Sequence, residues 1–327
     1  MNSKAKIIKF VETAVKIMIV VLGLWILYRK LFYNQNITQL WSDIKSSVNS
    51  LNNLIFILSA IILVPLNIYL EGIKWKIQLK PVENISNWKS FLSIFTGITA
   101  GMFFPNRTGN FLGRIFMLEK GDRIKAAIVT VVGGFAQMIA TVTAGFIALL
   151  FFSEKYTLII CISAIVIILL SIFLYFNIHL LKYIQSLIPK KFKEKTNEYL
   201  NVFSLYSKKE LLKILILSFL RYFLYTFQFV LLIWAFNIPL TYLNAMIPIS
   251  FTYLLMMIIP FITITEIAIR GSVSILVFEK WMIINEINTS YGIMVFSASS
   301  LLWILNIAIP SIIGLFLTHR LKFFRQK

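Results

Sequence analysis

Six stretches of this 327-residue chain are long and almost wholly apolar: roughly 8–30, 52–72, 124–152, 157–179, 211–236 and 290–318. A run of more than ~18 apolar residues reads as a membrane span. In hydrocarbon the backbone must satisfy its own hydrogen bonds, so each run reads as a helix. Hydrophobic residues make up 59% of the chain and the mean hydropathy is +0.83, where a soluble domain is about half apolar. The fold class is therefore all-α integral membrane, a single polytopic domain over residues 1–327.

Two further apolar segments are interrupted. GITAGMFFPNRTGNFLGRIFML runs from Gly97 to Leu118, and LLMMIIPFITITEIAIRGSVSIL from Leu254 to Leu276. Each holds a proline, then small or hydroxylic residues, then a polar residue followed four positions later by arginine: Pro105, Asn110 and Arg114 in one, Pro260, Glu266 and Arg270 in the other. The arm Phe91–Phe104 covers only about 21 Å at 1.5 Å per residue, short of a ~30 Å hydrocarbon core. We read the segments, roughly 88–119 and 244–279, as re-entrant hairpins within a bundle of about eight helices. The competing reading, two full crossings each, stays open. Broken segments at corresponding places in two halves point to a transporter-type site near the bilayer midplane.

The formal charge of +19 does not imply a nucleic-acid partner, because the basic residues sit at the ends of apolar runs, as the positive-inside bias requires. With the N-terminus inside, the clusters at Lys74–Lys80, Lys120–Lys125, Lys182–Lys209 and Arg320–Lys327 share one side. Arg29, Lys30 and Lys45 are exceptions. The first hairpin then enters from the cytoplasm and the second from outside, which makes an inverted repeat of halves 1–152 and 157–318, joined by a cytoplasmic basic connector at 180–210. The expected location is a bacterial inner membrane, multi-pass, with both termini cytoplasmic. The basic start at Lys4, Lys6 and Lys9 resembles a signal peptide, but the apolar run ends at Tyr28, Arg29 and Lys30 without a cleavage site, so an uncleaved first span is expected. Cys161 has no pairing partner. His179 and His319 are far apart in sequence, and no metal or cofactor is expected.

Candidate site residues lie around the breaks. Thr108, or Thr263 or Thr265, is placed to cap the second arms, whose N-termini carry partial positive charge. Arg114 and Arg270 follow within the first turns. Arginine in hydrocarbon needs a cavity or a partner, and a guanidinium beside a helix N-terminus suits a phosphate. Asn110 shares a helix face with Arg114, as Glu266 does with Arg270. Arg221 sits about three turns into its span, and Glu71, Gln137, Gln228, Ser299 and Asn306 are polar in apolar surroundings. Structural readings stand beside these. Arg107 and Arg114 fit interfacial basic residues, and Glu266–Arg270 fits an internal salt bridge. Glu71 fits a partner for Lys74, and Gln137, Gln228 and Asn306 fit interhelical hydrogen bonds. Trp25, Trp41, Trp75, Trp88 and Trp281 fit interface anchors.

EGIKWKIQL at Glu71–Leu79, FFPNRTGNFLGR at Phe103–Arg114, Arg221 with Gln228, and IPFITITEIAIRG at Ile259–Gly271 together resemble the lysylphosphatidylglycerol synthase transmembrane-region, or flippase-like domain, family. The resemblance implies a bundle of about eight helices with a lipid-handling role, with Arg114 and Glu266 as its matching charged residues. PFITIT replaces the usual glycine-rich second break. The chain extends little past its last span, so a soluble aminoacyl-transferase domain is not expected.

The function that follows is a lipid translocase. It would move an anionic or aminoacylated phospholipid or a polyprenyl-phosphate lipid, with membrane lipids as its partners and no nucleic acid. Asn110, Arg114, Arg270, Glu266, Thr108, Thr265 and Arg221 are the substrate-binding candidates. No GxxxxGK[ST] motif is present, so coupling to ATP is not expected. The alternatives are a non-catalytic membrane partner of a separately encoded lipid-modifying enzyme, or a membrane transferase acting on lipid-linked substrates. Thirteen acidic residues without a DxD-type cluster speak against the transferase. The charge placement has a direct test. In a Cys161→Ser background, a cysteine at Lys208 should resist an impermeant maleimide in right-side-out vesicles, and one at Asn237 should react; the reverse pattern would invert the topology.

Overall fold

The computed structural model describes residues 50–102, 104–119, 121–152, 155–180, 199–261, 263–287 and 290–317. The expected first span, 8–30, with Trp25 and Trp41, and most of the 180–210 connector fall outside these residues. Among the described residues the secondary structure is helical throughout. The helices are α1 Leu51–Leu79, α2 Asn87–Gly101, α3 Asn110–Ile115, α4 Arg123–Leu149, α5 Thr157–Phe176, α6 Lys208–Ala235, α7 Tyr242–Ile258, α8 Thr263–Ile284, α9 Gly292–Trp303 and α10 Ile309–Leu317.

Local sequence sets the starts of these helices. Ser50, Ser86, Asp122 and Thr241 each accept a hydrogen bond from a first-turn amide of α1, α2, α4 and α7, satisfying donors a helix leaves unpaired. Ser207 and Glu210 form a reciprocal capping box on α6, so this span starts at Lys208, before the apolar run. Val202, Phe203 and Tyr206, at the end of the expected basic connector, are buried in the core.

Among the described residues five stretches are long and apolar enough to cross a membrane: Leu51–Leu79, Arg123–Phe152, Thr157–Phe176, Lys208–Ala235 and Gly292–Leu317. They correspond to the last five expected spans. The last contains a π-turn, Ile304–Ala308, between α9 and α10. α5 lies at the periphery, with only 6% of its most apolar window buried. Leu158, Ile159, Ile165, Leu169 and Phe173 are exposed along it, a surface that fits a lipid environment and not water.

Both apolar breaks fall at the predicted prolines. α2 (15 residues) ends before a 3₁₀ turn at Pro105–Arg107, and α3 follows with 6 residues. α7 (17 residues) ends at Ile258, Pro260 follows, and α8 runs 22 residues. At 1.5 Å per residue α2 and α7 reach about 22 and 25 Å, too short to cross alone, while α8 reaches about 33 Å. The two broken pairs are therefore unequal. The first has a short return arm, and the second has a return arm of full length that continues past the expected boundary to Ile284.

α1 and α6 run antiparallel along each other. Gln228 Nε2 donates to the Ala60 carbonyl at 2.9 Å, Arg221 Nε to Asn67 Oδ1 at 3.0 Å, and the Tyr206 hydroxyl to the Gln78 carbonyl. The broken pairs pack across the molecule: α4 lies against α7, and α10 against α2. The Thr99 hydroxyl donates to the Ser311 carbonyl at 2.7 Å, holding α10 on α2.

The turn back from α2 to α3 requires glycine at the contact. A Cβ on Gly113 would stand 2.0 Å from the Thr96 carbonyl oxygen, and one on Gly101 would stand 1.8 Å from Asn110 Oδ1. Gly113→Ala should force the backbones apart and cost about 1–3 kcal/mol. Gly134→Ala, where a Cβ meets nothing within 4 Å, should be neutral or gain up to about 1 kcal/mol. Thermal melts in detergent should separate the two; equal melting of both variants would remove the close contact from the account.

Candidate functional site

The two breaks meet. The Asn106 amide donates to the Phe261 carbonyl at 2.8 Å, and the Phe261 amide donates to Asn106 Oδ1 at 2.8 Å. Asn106 and Arg107 adopt left-handed backbone with φ of 49° and 54°, a conformation asparagine tolerates and arginine adopts at a cost of about 1–2 kcal/mol. The turn directs Arg107 across the junction. Its Nε donates to Glu266 Oε2 at 2.9 Å, and Nη2 bonds the same oxygen. One turn along α8, Arg270 Nη2 reaches Glu266 Oε1 at 2.5 Å and Nη1 donates to the Tyr225 hydroxyl at 2.7 Å. The Arg270 guanidinium also lies 5.6 Å from the centre of the Tyr253 ring. Glu266 is fully buried and holds one guanidinium from each broken segment.

A second carboxylate, Glu71 on α1, gathers three cations. Arg114 Nη1 from α3 is 2.8 Å from Oε1; Lys74 Nζ is 2.8 Å from Oε2, which also accepts from Arg221 Nη1 of α6. Trp75 is fully buried with the Arg114 guanidinium 5.7 Å over its ring. Asn67 extends the network, accepting from Arg221 and donating to Asn306 Oδ1 at 3.3 Å. Asn306 sits in the π-turn, whose extra residue re-aims a side chain that a regular helix would place elsewhere.

Between these clusters lies a cavity of about 400 Å³, and beside it one of about 260 Å³ that shares Glu71, Asn110, Arg114, Gln137 and Arg221. Arg107 and Arg270 line the larger, Lys74 the smaller. Among the described residues five cations thus surround two carboxylates. Arg114 Nε and Arg270 Nε, two charged donors, and the acceptor Asn110 Oδ1 are buried without a protein hydrogen-bond partner, an unusual condition for buried polar groups. Ile94, Ile98, Met256 and Met257 supply apolar wall, and Met257 is 44% exposed on the outer surface.

The structure brings Asn110, Arg114, Arg221 and Arg270 to one cavity, with Glu266 behind it. Thr108 is exposed and its hydroxyl donates to the Pro105 carbonyl at 2.9 Å instead of capping α3, whose N-cap position is held by Gly109 with no side-chain cap. It lines only the smaller cavity. Thr265 is half-buried and does not line the larger cavity. With six residues, α3 is too short to act as a half-helix dipole, so side-chain charge carries the electrostatics of the first break. Sequence reasoning places Arg107 at the interface and Glu71 with Lys74; Glu71 does bond Lys74, but it also holds Arg114 and Arg221 from two other helices. Trp75 and Trp281 are buried, so neither is an interface anchor, whereas Trp88 is 66% exposed. The sequence marked Arg107 as an interfacial basic residue and not as a partner of Glu266, and nothing local marked Tyr225 or Tyr253 as neighbours of Arg270.

A family model described as Lysylphosphatidylglycerol synthase TM region matches residues 13–295, most of the chain. No curated protein matches the chain, and no solved structure does.

Removing one partner of a buried ion pair leaves an uncompensated charge and costs about 3–5 kcal/mol. Glu71→Gln, which keeps shape and loses charge, should lower the melting temperature far more than Lys80→Gln, whose ammonium pairs with Glu210 at the exposed surface. Equal melting temperatures would show that the Glu71 cluster does not hold the helices together.

Proposed function

The chain belongs to the lysylphosphatidylglycerol synthase TM region family, and from that premise we propose that it is a translocase that moves a phosphate-bearing lipid between the leaflets of the bacterial inner membrane. The observation that carries this reading is the cavity between the two breaks. It is rich in guanidinium groups and has buried, unpartnered donors and apolar wall. Guanidinium forks suit phosphate oxygens, and Met257 offers an apolar path on which acyl or prenyl chains trail outside while the head group is held.

The antiparallel α1 and α6, each followed by a broken pair, support an inverted arrangement of the halves, one feature of alternating-access transporters. In this reading Arg107–Glu266 and the Asn106–Phe261 bonds form the gate between the broken segments. A head-group phosphate competes with Glu266 for Arg107 and Arg270 and with Glu71 for Arg114. Released from those guanidinia, the carboxylates let the hairpins separate toward one face. Glu266 is then the residue whose protonation would couple movement to an ion gradient.

The test is leaflet exchange of fluorescent lipids in liposomes holding the purified protein. The panel contains phosphatidylglycerol, its lysyl ester and a polyprenyl phosphate, beside Arg114→Ala and Glu266→Ala. Protein-dependent exchange that both variants lose by tenfold or more, while they remain monodisperse in detergent, is the expected result. Exchange unchanged in both variants would remove these residues from the mechanism. No exchange of any lipid would favour a partner of a separately encoded lipid-modifying enzyme.

A further inference from the structure

The charge around the cavities is unequal to what a phosphodiester brings. Arg107, Arg114, Arg221 and Arg270 face only Glu71 and Glu266 among the described residues, and Lys74 shares Glu71 with two of them. Guanidinium keeps its charge at any physiological pH, so the arginines alone leave an excess of two positive charges, and Lys74 raises it to three. The excess is buried: Arg114 and Arg270 side chains are 11% and 9% exposed, and their Nε donors meet no protein acceptor. A charge held out of water seeks a counter-charge.

Resting on the lipid-site reading above, we infer that the site selects a lipid whose head group carries a terminal phosphate with two or more negative charges, a phosphomonoester or diphosphate, over phosphodiesters and aminoacylated lipids. A phosphomonoester ionises a second time near pH ~6 and approaches two charges at pH 7, which balances the arginine excess. A diester brings one charge and leaves at least one guanidinium uncompensated. A lysyl ester of phosphatidylglycerol brings two ammonium groups besides its phosphate and adds to the excess. A terminal phosphate also exposes three oxygens. These match the separated directions of approach: Arg107 from the first break, Arg270 from α8 and Arg114 from α3. A diester hides one of those oxygens under its second carbon substituent.

The distinguishing pair is phosphatidic acid and phosphatidylmethanol, which share tails and differ by one methyl ester and one charge. Binding of each to the purified protein in nanodiscs would be measured at pH 8 and pH 5, with a polyprenyl phosphate, lysylphosphatidylglycerol and inorganic phosphate as competitors. The expected result is at least tenfold tighter binding of phosphatidic acid at pH 8, collapsing to under threefold at pH 5, where the monoester carries one charge. The polyprenyl phosphate should displace it and lysylphosphatidylglycerol should not. Arg114→Gln should lose the preference, and Arg114→Lys, which restores the charge, should keep most of it; a merely structural role would not follow charge in this way. Equal affinity for the two lipids at pH 8, or tighter binding of lysylphosphatidylglycerol, would overturn the inference. Displacement by inorganic phosphate at matching concentration would assign the site to the free anion and overturn its lipid part. Leaflet exchange on the same panel separates this inference from the broader one. Exchange without head-group preference keeps the translocase and sinks the selectivity. A preference in binding without exchange keeps the selectivity and sinks translocation.

Discussion

Two carboxylates inside a hydrocarbon-facing protein hold the arginines on which the rest of the arrangement depends. Glu71 collects Arg114, Arg221 and Lys74, and Glu266 collects Arg107 and Arg270. Each arginine comes from a different element: the 3₁₀ turn, α3, α6 and α8. The pairs therefore act as ties between elements as much as neutralisation. In a bilayer, apolar packing gives helices little reason to prefer each other over lipid. Polar ties of this kind specify which helices meet and in what register. The antiparallel alignment of α1 and α6 follows them, with Gln228, Arg221 and Tyr206 bonded at successive levels along α1.

The same ties define a place that is both assembled and divisible. Asn106 and Phe261 exchange two hydrogen bonds where the broken segments touch, and Arg107 reaches Glu266 beside them. These bridging bonds are polar. A ligand with phosphate oxygens competes with carboxylates for the same donors, whereas a ligand without charge has nothing to exchange for them. On the proposed reading, connection between the hairpins and occupancy of the cavity are one equilibrium. The left-handed backbone at Asn106 and Arg107 belongs to the same device, because a relaxed turn would aim Arg107 elsewhere.

The comparison of sequence with structure divides along a physical line. Spans were legible at Leu51–Leu79, Lys208–Ala235 and the others because hydropathy is a property of consecutive residues. Both breaks were legible at Pro105 and Pro260 because proline removes a donor locally. The Glu266–Arg270 pair was legible because i,i+4 residues share a helix face whatever the fold. The cap expected from Thr108 is absent: Thr108 bonds its own turn, and α3 is too short to behave as a half-helix. The tryptophans misled for a related reason. Trp75 reads as an interface anchor, but it is buried in a core cluster whose other members lie as far along the chain as Ile214.

What the sequence by itself determined is an all-helical membrane chain, interrupted twice, with guanidinium groups beside each interruption. Those features follow from the hydrogen-bonding demand of hydrocarbon and from residues adjacent in the chain. Tertiary structure alone decided that the interruptions face one another. It decided too that Arg107 crosses to a carboxylate 159 residues distant, that Glu71 gathers three helices, and that a π-turn brings Asn306 to Asn67. These pairings are set by helix packing and strained local backbone, and neither leaves a periodicity to read. The reason is electrostatic as well as geometric. A buried charge takes whichever partner the packed helices bring within reach, and that partner is specified by the whole arrangement of the bundle.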